Sequence, residues 1–337
     1  KLEGANPGGS AKDRIALKMV EMAEADGTLR PGATILEPSS GNTGIGLALV
    51  ARVKGYGLRI VMPENVSPER RQLLEIFGAE VTLSPGEEGS NGAIRRTQEI
   101  AAADPSYVFL YQYGNPANPL AHYETTGPEI WRDCPEIDMF VAGLGTSGTF
   151  MGTSRALRQF NPAIRVMSFQ PDSPFHGLEG LKHMETAMVP AIYDATMADA
   201  DLRVSTEDAH HSVRRLAREA GLMVGISAGA ALAATLQVAR TLTSGVLVTV
   251  FPDGAEKYLT EAEKAELKAL GWDKLFETLK QRLAEQKGRH QGGSKWIGTA
   301  GTSPFGAHGY NPEGVRIGQD KNRNNRAVKV WDKREFR

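Results

Sequence analysis

The sequence predicts an α/β fold of two three-layer αβα domains built on largely parallel sheets. Short β-branched runs at 33–36, 58–62, 80–83, 139–142, 164–169 and 246–251 read as buried strands. Between the earlier runs, segments 15–25, 44–53, 68–77 and 92–103 carry helical apolar spacing, and this alternation is the mark of parallel strands joined by helices. The runs fall into two groups separated by the irregular segment 115–127, so two cores meet near residue 120 and a small-molecule cleft is expected between them.

Composition bounds the function. At 337 residues with 41% hydrophobic and 23% charged residues, the chain has the makeup of an ordinary globular protein large enough for two cores. A formal net charge of -1 gives no drive toward nucleic acid or an anionic membrane, so small ligands are the expected partners. The single cysteine, Cys134, rules out an internal disulfide and lacks any metal-ligand spacing, which favours a reducing cytoplasm and no metal site. No run approaches the roughly 18 apolar residues of a membrane-spanning helix.

The chemistry lies in loops that join strands to helices. Asn-Pro-Gly-Gly-Ser-Ala-Lys-Asp-Arg at 6–14 is a glycine turn followed by a helix start with Lys12 in its first turn. A cation there opposes the helix macrodipole, which lowers the amine pKa as a Schiff-base lysine requires; a solvated surface lysine is the plain alternative. Glu-Pro-Ser-Ser-Gly-Asn-Thr-Gly at 37–44 offers hydroxyls, an amide and fresh helix N–H groups, suited to cradling a carboxylate or simply to capping a helix.

Gly-Leu-Gly-Thr-Ser-Gly-Thr at 143–149 also satisfies the spacing of a dinucleotide fold, with Asp172 as its ribose acid, or an unliganded turn. Thr146 and Thr149 favour a terminal phosphate, whose several oxygens use two hydroxyls beside the glycines. Gly-Ile-Ser-Ala-Gly-Ala at 225–230 places Ser227 at a loop mouth; a hydrolase elbow would need His210 or His211, which precede the serine, against that fold's chain order.

Together these motifs resemble, in order and spacing, the fold-type II pyridoxal-phosphate enzymes, the tryptophan synthase β-like group. The segments Gln-Tyr-Gly-Asn-Pro-Ala-Asn at 112–118, Thr-Thr-Gly-Pro-Glu at 125–129 and Met-Pro-Glu-Asn at 62–65 resemble the cysteine synthase branch, B-type, over about residues 1–259. The resemblance implies pyridoxal 5'-phosphate joined to Lys12, its ring hydroxyl bonded by Asn42, its phosphate held by Gly145, Thr146, Ser147, Gly148 and Thr149, and its pyridine nitrogen facing Ser227. It implies a substrate carboxylate held by Ser39, Ser40, Gly41, Thr43 and Gln112, with Arg203 reading a substrate phosphate.

The implied reaction is β-replacement through an internal aldimine and an aminoacrylate, making cysteine from O-acetylserine or O-phosphoserine and a sulfide donor in a cytoplasmic homodimer. A neutral hydroxyl at the ring nitrogen makes the cofactor a gentler electron sink than a carboxylate partner would. The rivals are a cystathionine β-synthase-like enzyme using a larger thiol, and a non-catalytic scaffold whose tail is the interacting part. Ser39, Ser147 and Ala255 depart from the family's usual Thr, Gly and Gly.

The expected plan is an N-terminal domain over 1–120, a phosphate-binding domain over 121–259 and a tail over 260–337. The resemblance implies that a segment with a strand precedes Lys1, so N-terminal truncation and an uncovered sheet edge are expected. A charged helical stretch at 260–287 leads into an irregular tail whose 292–318 segment resembles a linker preceding von Willebrand type A domains in bacterial proteins. A fusion with its junction between Tyr258 and Glu266 is the corresponding expectation.

Overall fold

A computed structural model describes residues 1–255, Tyr258, and the backbone of two short strands at 315–318 and 327–330. In chain order the elements are α1 (Lys12–Ala25), β1 (Thr34–Pro38), α2 (Asn42–Lys54), β2 (Gly57–Pro63), α3 (Pro68–Ile76), β3 (Glu80–Ser84), α4 (Gly89–Ala103) and β4 (Tyr107–Phe109). There follow α5 (Ala117–Ala121), a π-turn at His122–Thr126, α6 (Gly127–Asp133), β5 (Met139–Gly143), α7 (Gly148–Phe160), β6 (Arg165–Pro171), β7 (Ala200–Val204), α8 (Thr206–Ala220), α9 (Ile226–Ala239), β8 (Leu247–Thr249), β9 (Val315–Gly318) and β10 (Ala327–Val330).

The first sheet runs β3-β2-β1-β4 with every pairing parallel. The second runs β7-β6-β5-β8-β10-β9; its first four strands are parallel, and β10 and β9 add antiparallel at the β8 side. This is the expected α/β architecture of largely parallel sheets. The expectation of an irregular tail is corrected at β9 and β10, whereas the helix expected at 260–287 and the junction at Tyr258 to Glu266 fall on residues that, apart from Tyr258, lie outside the described ones.

Period-two alternation sets the layers. In β5, Phe140 packs into one apolar cluster with Phe150, Val166 and Val248, while Val141 turns to the other with Met167, Leu232 and Leu247. Phe140 is fully buried, worth about 2–3 kcal/mol relative to exposure. Around the first sheet, Ile60 joins Ile15, Met19 and Leu47 from α1 and α2, and the neighbouring Val61 joins Leu36 and Ala93 on the α4 side.

The chain's two ends of the described core meet. Leu2 pairs in parallel with Phe251, Ser10 bridges Asp253, and the Ala11 amide donates to the Pro252 carbonyl at 2.8 Å. The residues leading to Lys12 therefore run with the second sheet, while α1 packs its Ile15–Met19 face against α2 in the first cluster. Lys12 sits at the crossing between them.

Candidate active site

Lys12 is the first residue of α1, and its half-buried side chain lines a cleft shared with Asn42, the 145–149 turn and Ser227. The amine's pKa is lowered, chiefly by burial, with the Asp253 charge opposing. Burial thus supplies the effect that the sequence assigned to the helix dipole. The start of α1 is pinned by Arg14, whose guanidinium donates to Glu3 at 2.6 Å and to both oxygens of Glu129 at 2.9 and 2.8 Å. The Lys-Asp-Arg and Gly-Pro-Glu motifs are in this way parts of one ion cluster.

The turn between β5 and α7 forms another wall. Gly145, Thr146, Ser147, Gly148 and Thr149 all line the cleft. A Cβ at Gly145 would fall 2.1 Å from the Gly180 carbonyl oxygen, and one at Gly148 would fall 1.8 Å from Asn118 Oδ1. A side chain at Gly145 would force backbone to move, and one at Gly148 would displace the Asn118 carboxamide. Ser147 precedes α7 with a left-handed backbone, φ 71°, and its own side chain makes no capping bond; Gly148 N donates to Thr146 Oγ1 at 3.4 Å, and the start of the helix lines the cleft. The Ser147 hydroxyl is buried with no hydrogen-bond partner among the described residues.

The two threonine hydroxyls of the turn are held from behind. Asn118 Nδ2 donates to Thr146 Oγ1 at 2.9 Å, and Thr149 Oγ1 lies 3.1 Å from His122 Nε2. An orphaned hydroxyl, a helix N-terminus and two oriented threonines form a donor set that fits a terminal phosphate dianion. Asn42 at the first turn of α2 and Ser227 at the start of α9 line the same cleft. A lysine, an amide, a hydroxyl and a phosphate cradle thus converge as a pyridoxal phosphate site requires.

The substrate-loop residues lie beside the cleft rather than on its lining. Ser39 Oγ accepts from Gly44 N at 2.9 Å and Gly41 N at 3.4 Å, which folds the loop over the start of α2. Thr43 donates to Gln112 Oε1 at 2.8 Å, and Gln112 Nε2 donates to the Pro38 carbonyl at 3.1 Å; Ser40 accepts from Arg70 at 3.5 Å through its carbonyl. Glu37, unmarked in the sequence reading, is fully buried and accepts from Tyr111 N and Gln112 N. Burial pushes its carboxyl up to about 8 against those two N–H groups.

Arg203 is not brought to the cleft. It lies on β7, at an edge of the second sheet, with its guanidinium paired to Asp201 at 2.6 Å and to Glu185. His210 and His211 are exposed on α8 and Asp172 is exposed beyond β6, so neither the hydrolase nor the dinucleotide alternative assembles. Asp253, His122 and Tyr258 were missed. The signal for the first was its place two residues before Ala255, and for the second its place between two motifs.

The chain is 49% identical over 268 residues to a cysteine synthase of Aquifex aeolicus, covering 78% of this chain and 82% of the relative. Among solved structures it is similar to a hydrogen sulfide-producing enzyme from Fusobacterium nucleatum, with TM-score 0.73, 39% identity, and 77% and 90% of the two chains covered. It is also similar to an O-acetylserine dependent cystathionine beta-synthase from Helicobacter pylori, with TM-score 0.73, 38% identity, and 77% and 87% covered. Residues 1–253 match the family described as pyridoxal-phosphate dependent enzyme, to which the chain belongs.

Proposed function

We propose that this protein makes L-cysteine by β-replacement, from O-acetyl-L-serine or O-phospho-L-serine and a sulfide donor. The observation that carries the reading is the convergence of Lys12, Asn42, the 145–149 turn and Ser227 on one cleft. Bound pyridoxal phosphate supplies an aldehyde for linkage to an amine and a ring that delocalises the electron pair left when a Cα proton departs.

The rest belongs to this chain's residues. The turn at 145–149 holds the phosphate, and Asn42 donates to the ring hydroxyl. The Ser227 hydroxyl would meet the pyridine nitrogen as a neutral partner that does not favour its protonation, which would restrain transamination. Incoming substrate frees the Lys12 amine, whose lowered pKa leaves it able to take the Cα proton. Ser39, Ser40, Gly41, Thr43 and Gln112 orient the substrate carboxylate. Acetate or phosphate would then leave Cβ with its electron pair, hydrosulfide would add at the same carbon, and Lys12 would return the proton to Cα.

The Asp201 and Glu185 carboxylates neutralise Arg203, which supports a donor choice made without it. The similarity to the Helicobacter pylori protein supports a second reading, a larger thiol as nucleophile. The enzyme is read as cytoplasmic and homodimeric, with an N-terminal domain over 1–120 and a phosphate-binding domain over 121–259. Among the described residues no helix is long and apolar enough to cross a membrane.

Borohydride reduction followed by peptide mass mapping tests the centre of this reading. Labelling at Lys12 is expected, and its absence rejects the site. A panel of both serine esters against hydrosulfide and homocysteine separates the two readings, and light scattering on the purified protein reads the dimer.

A further inference from the structure

The segment after β8 carries a carboxylate for which the reaction above has no use. Asp253 is 1% exposed, and a buried carboxylate is costly unless held by donors or a counter-charge. Its Oδ2 accepts from Asn42 Nδ2 at 2.7 Å and from the Tyr258 hydroxyl. Its backbone is fixed on two sides, by the bridge to Ser10 and by a 3.2 Å bond from Gly225 N. Gly225 is itself required here, because a Cβ there would fall 2.1 Å from Asp253 Oδ1.

The bond to Asn42 decides which end of that amide is which. With one N–H given to Asp253, a flip of the carboxamide would set its carbonyl oxygen against the carboxylate. The second N–H of the same nitrogen is therefore held in a fixed direction, the polarity that an anionic ring oxygen accepts from.

The charged and titratable groups around Asp253 come from three elements. Lys12 on α1 lies two residues after the Ser10 bridge to Asp253 and one after the Ala11 bond to Pro252, which brings the amine's helix start against this carboxylate, and Asn42 on α2 is neutral. Tyr258 is kept a donor, its phenol pushed up by burial and by Asp253 itself. Arg70 on α3 stacks 5.3 Å from the Tyr258 ring centre and is paired to Glu179, so its charge is already matched.

We propose that Asp253 is a positioning residue of the cofactor site, a carboxylate that locks the Asn42 amide with its nitrogen toward the ring hydroxyl and stands as counter-charge to the Lys12 amine. This rests on the reading of Lys12 and Asn42 as cofactor residues.

The test is a pH titration of the visible absorbance of the bound cofactor in the unmodified enzyme, Asp253→Asn and Tyr258→Phe. Asp253→Asn should lower the midpoint by about one pH unit or more, the effect of removing an anion close to an amine. Tyr258→Phe should raise it, because the carboxylate loses a donor and its charge becomes more concentrated. The pH dependence of reductive methylation at Lys12, read by mass spectrometry on cofactor-free protein, should shift in the same two directions.

An unmoved midpoint in folded Asp253→Asn overturns the proposal. Should that variant not fold, an unchanged or lowered midpoint in Tyr258→Phe does so alone. Failure of borohydride to label Lys12 in the unmodified protein rejects the cofactor reading instead; labelling with unmoved midpoints rejects only the role given to Asp253.

Discussion

His122 joins the 145–149 turn to the π-turn: its Nε2 lies 3.1 Å from the Thr149 hydroxyl and its Nδ1 lies 2.9 Å from the Thr126 hydroxyl. If Thr149 donates its proton into the cleft, its oxygen must accept from Nε2–H. Nδ1 then accepts from Thr126, and the ring is a neutral tautomer fixed by its two neighbours. π-turns concentrate at functional sites, and this one delivers a fully buried imidazole beneath a cleft-lining threonine.

Burial, with the Lys12 and Arg14 charges adding to it, holds the His122 ring down at about 3. The unfolded ring titrates near 6.5, so below that pH the unfolded chain binds a proton that the folded chain refuses. The stability His122 contributes is therefore present above 6.5 and lost as pH falls toward 3, at about 1.4 kcal/mol per pH unit. Urea unfolding of the unmodified protein and of His122→Asn across this window should differ by that slope, the difference removing the opposite contribution of Glu37.

Thr149→Val should weaken cofactor binding about tenfold, near 1.4 kcal/mol, by deleting one donor and orphaning His122 Nε2. Equilibrium dialysis of the cofactor measures this directly. An unchanged dissociation constant would take Thr149 out of the cradle.

Gly145→Ala should cost about 1–3 kcal/mol of stability, because its Cβ meets the Gly180 carbonyl at 2.1 Å and backbone must move. The displaced turn should also lose bound cofactor on gel filtration. Retention of both stability and colour would show that the turn is laxer than its geometry indicates.

Arg14→Lys should be far from conservative. A lysine cannot reproduce the fork that spans Glu3 and both oxygens of Glu129, and Glu3 is 1% exposed. A loss of about 3 kcal/mol, or roughly 6–12 °C in Tm, is expected by calorimetry. Lys12 should lose activity with it, since Arg14 anchors the helix turn that carries the lysine.

Much of this was legible in advance because parallel strands buried on both faces leave continuous apolar runs. Such runs match β1, β2, β5, β6 and β8; the run at 80–83 matches β3, which is an edge strand and mostly unburied rather than buried as expected. Tyr107–Phe109 escaped because three residues carry no pattern, and Ala200–Val204 because an edge strand alternates Asp and Arg with apolar neighbours. The cleft residues were found because glycine turns must be local in sequence. Asp253, Glu37 and His122 were not, since each matters through a partner far along the chain: Asn42, Gln112 and Thr149.

The pairing of Leu2 with Phe251, and of Ser10 with Asp253, has a consequence for biosynthesis. A ribosome releases Lys12 early but completes the strand and carboxylate beside it only after β8 has been made. Contacts of such high sequence separation form late and slowly. A nascent chain can therefore collapse its first sheet yet hold no vitamin-derived aldehyde, and acquisition of colour marks the end of folding rather than its beginning.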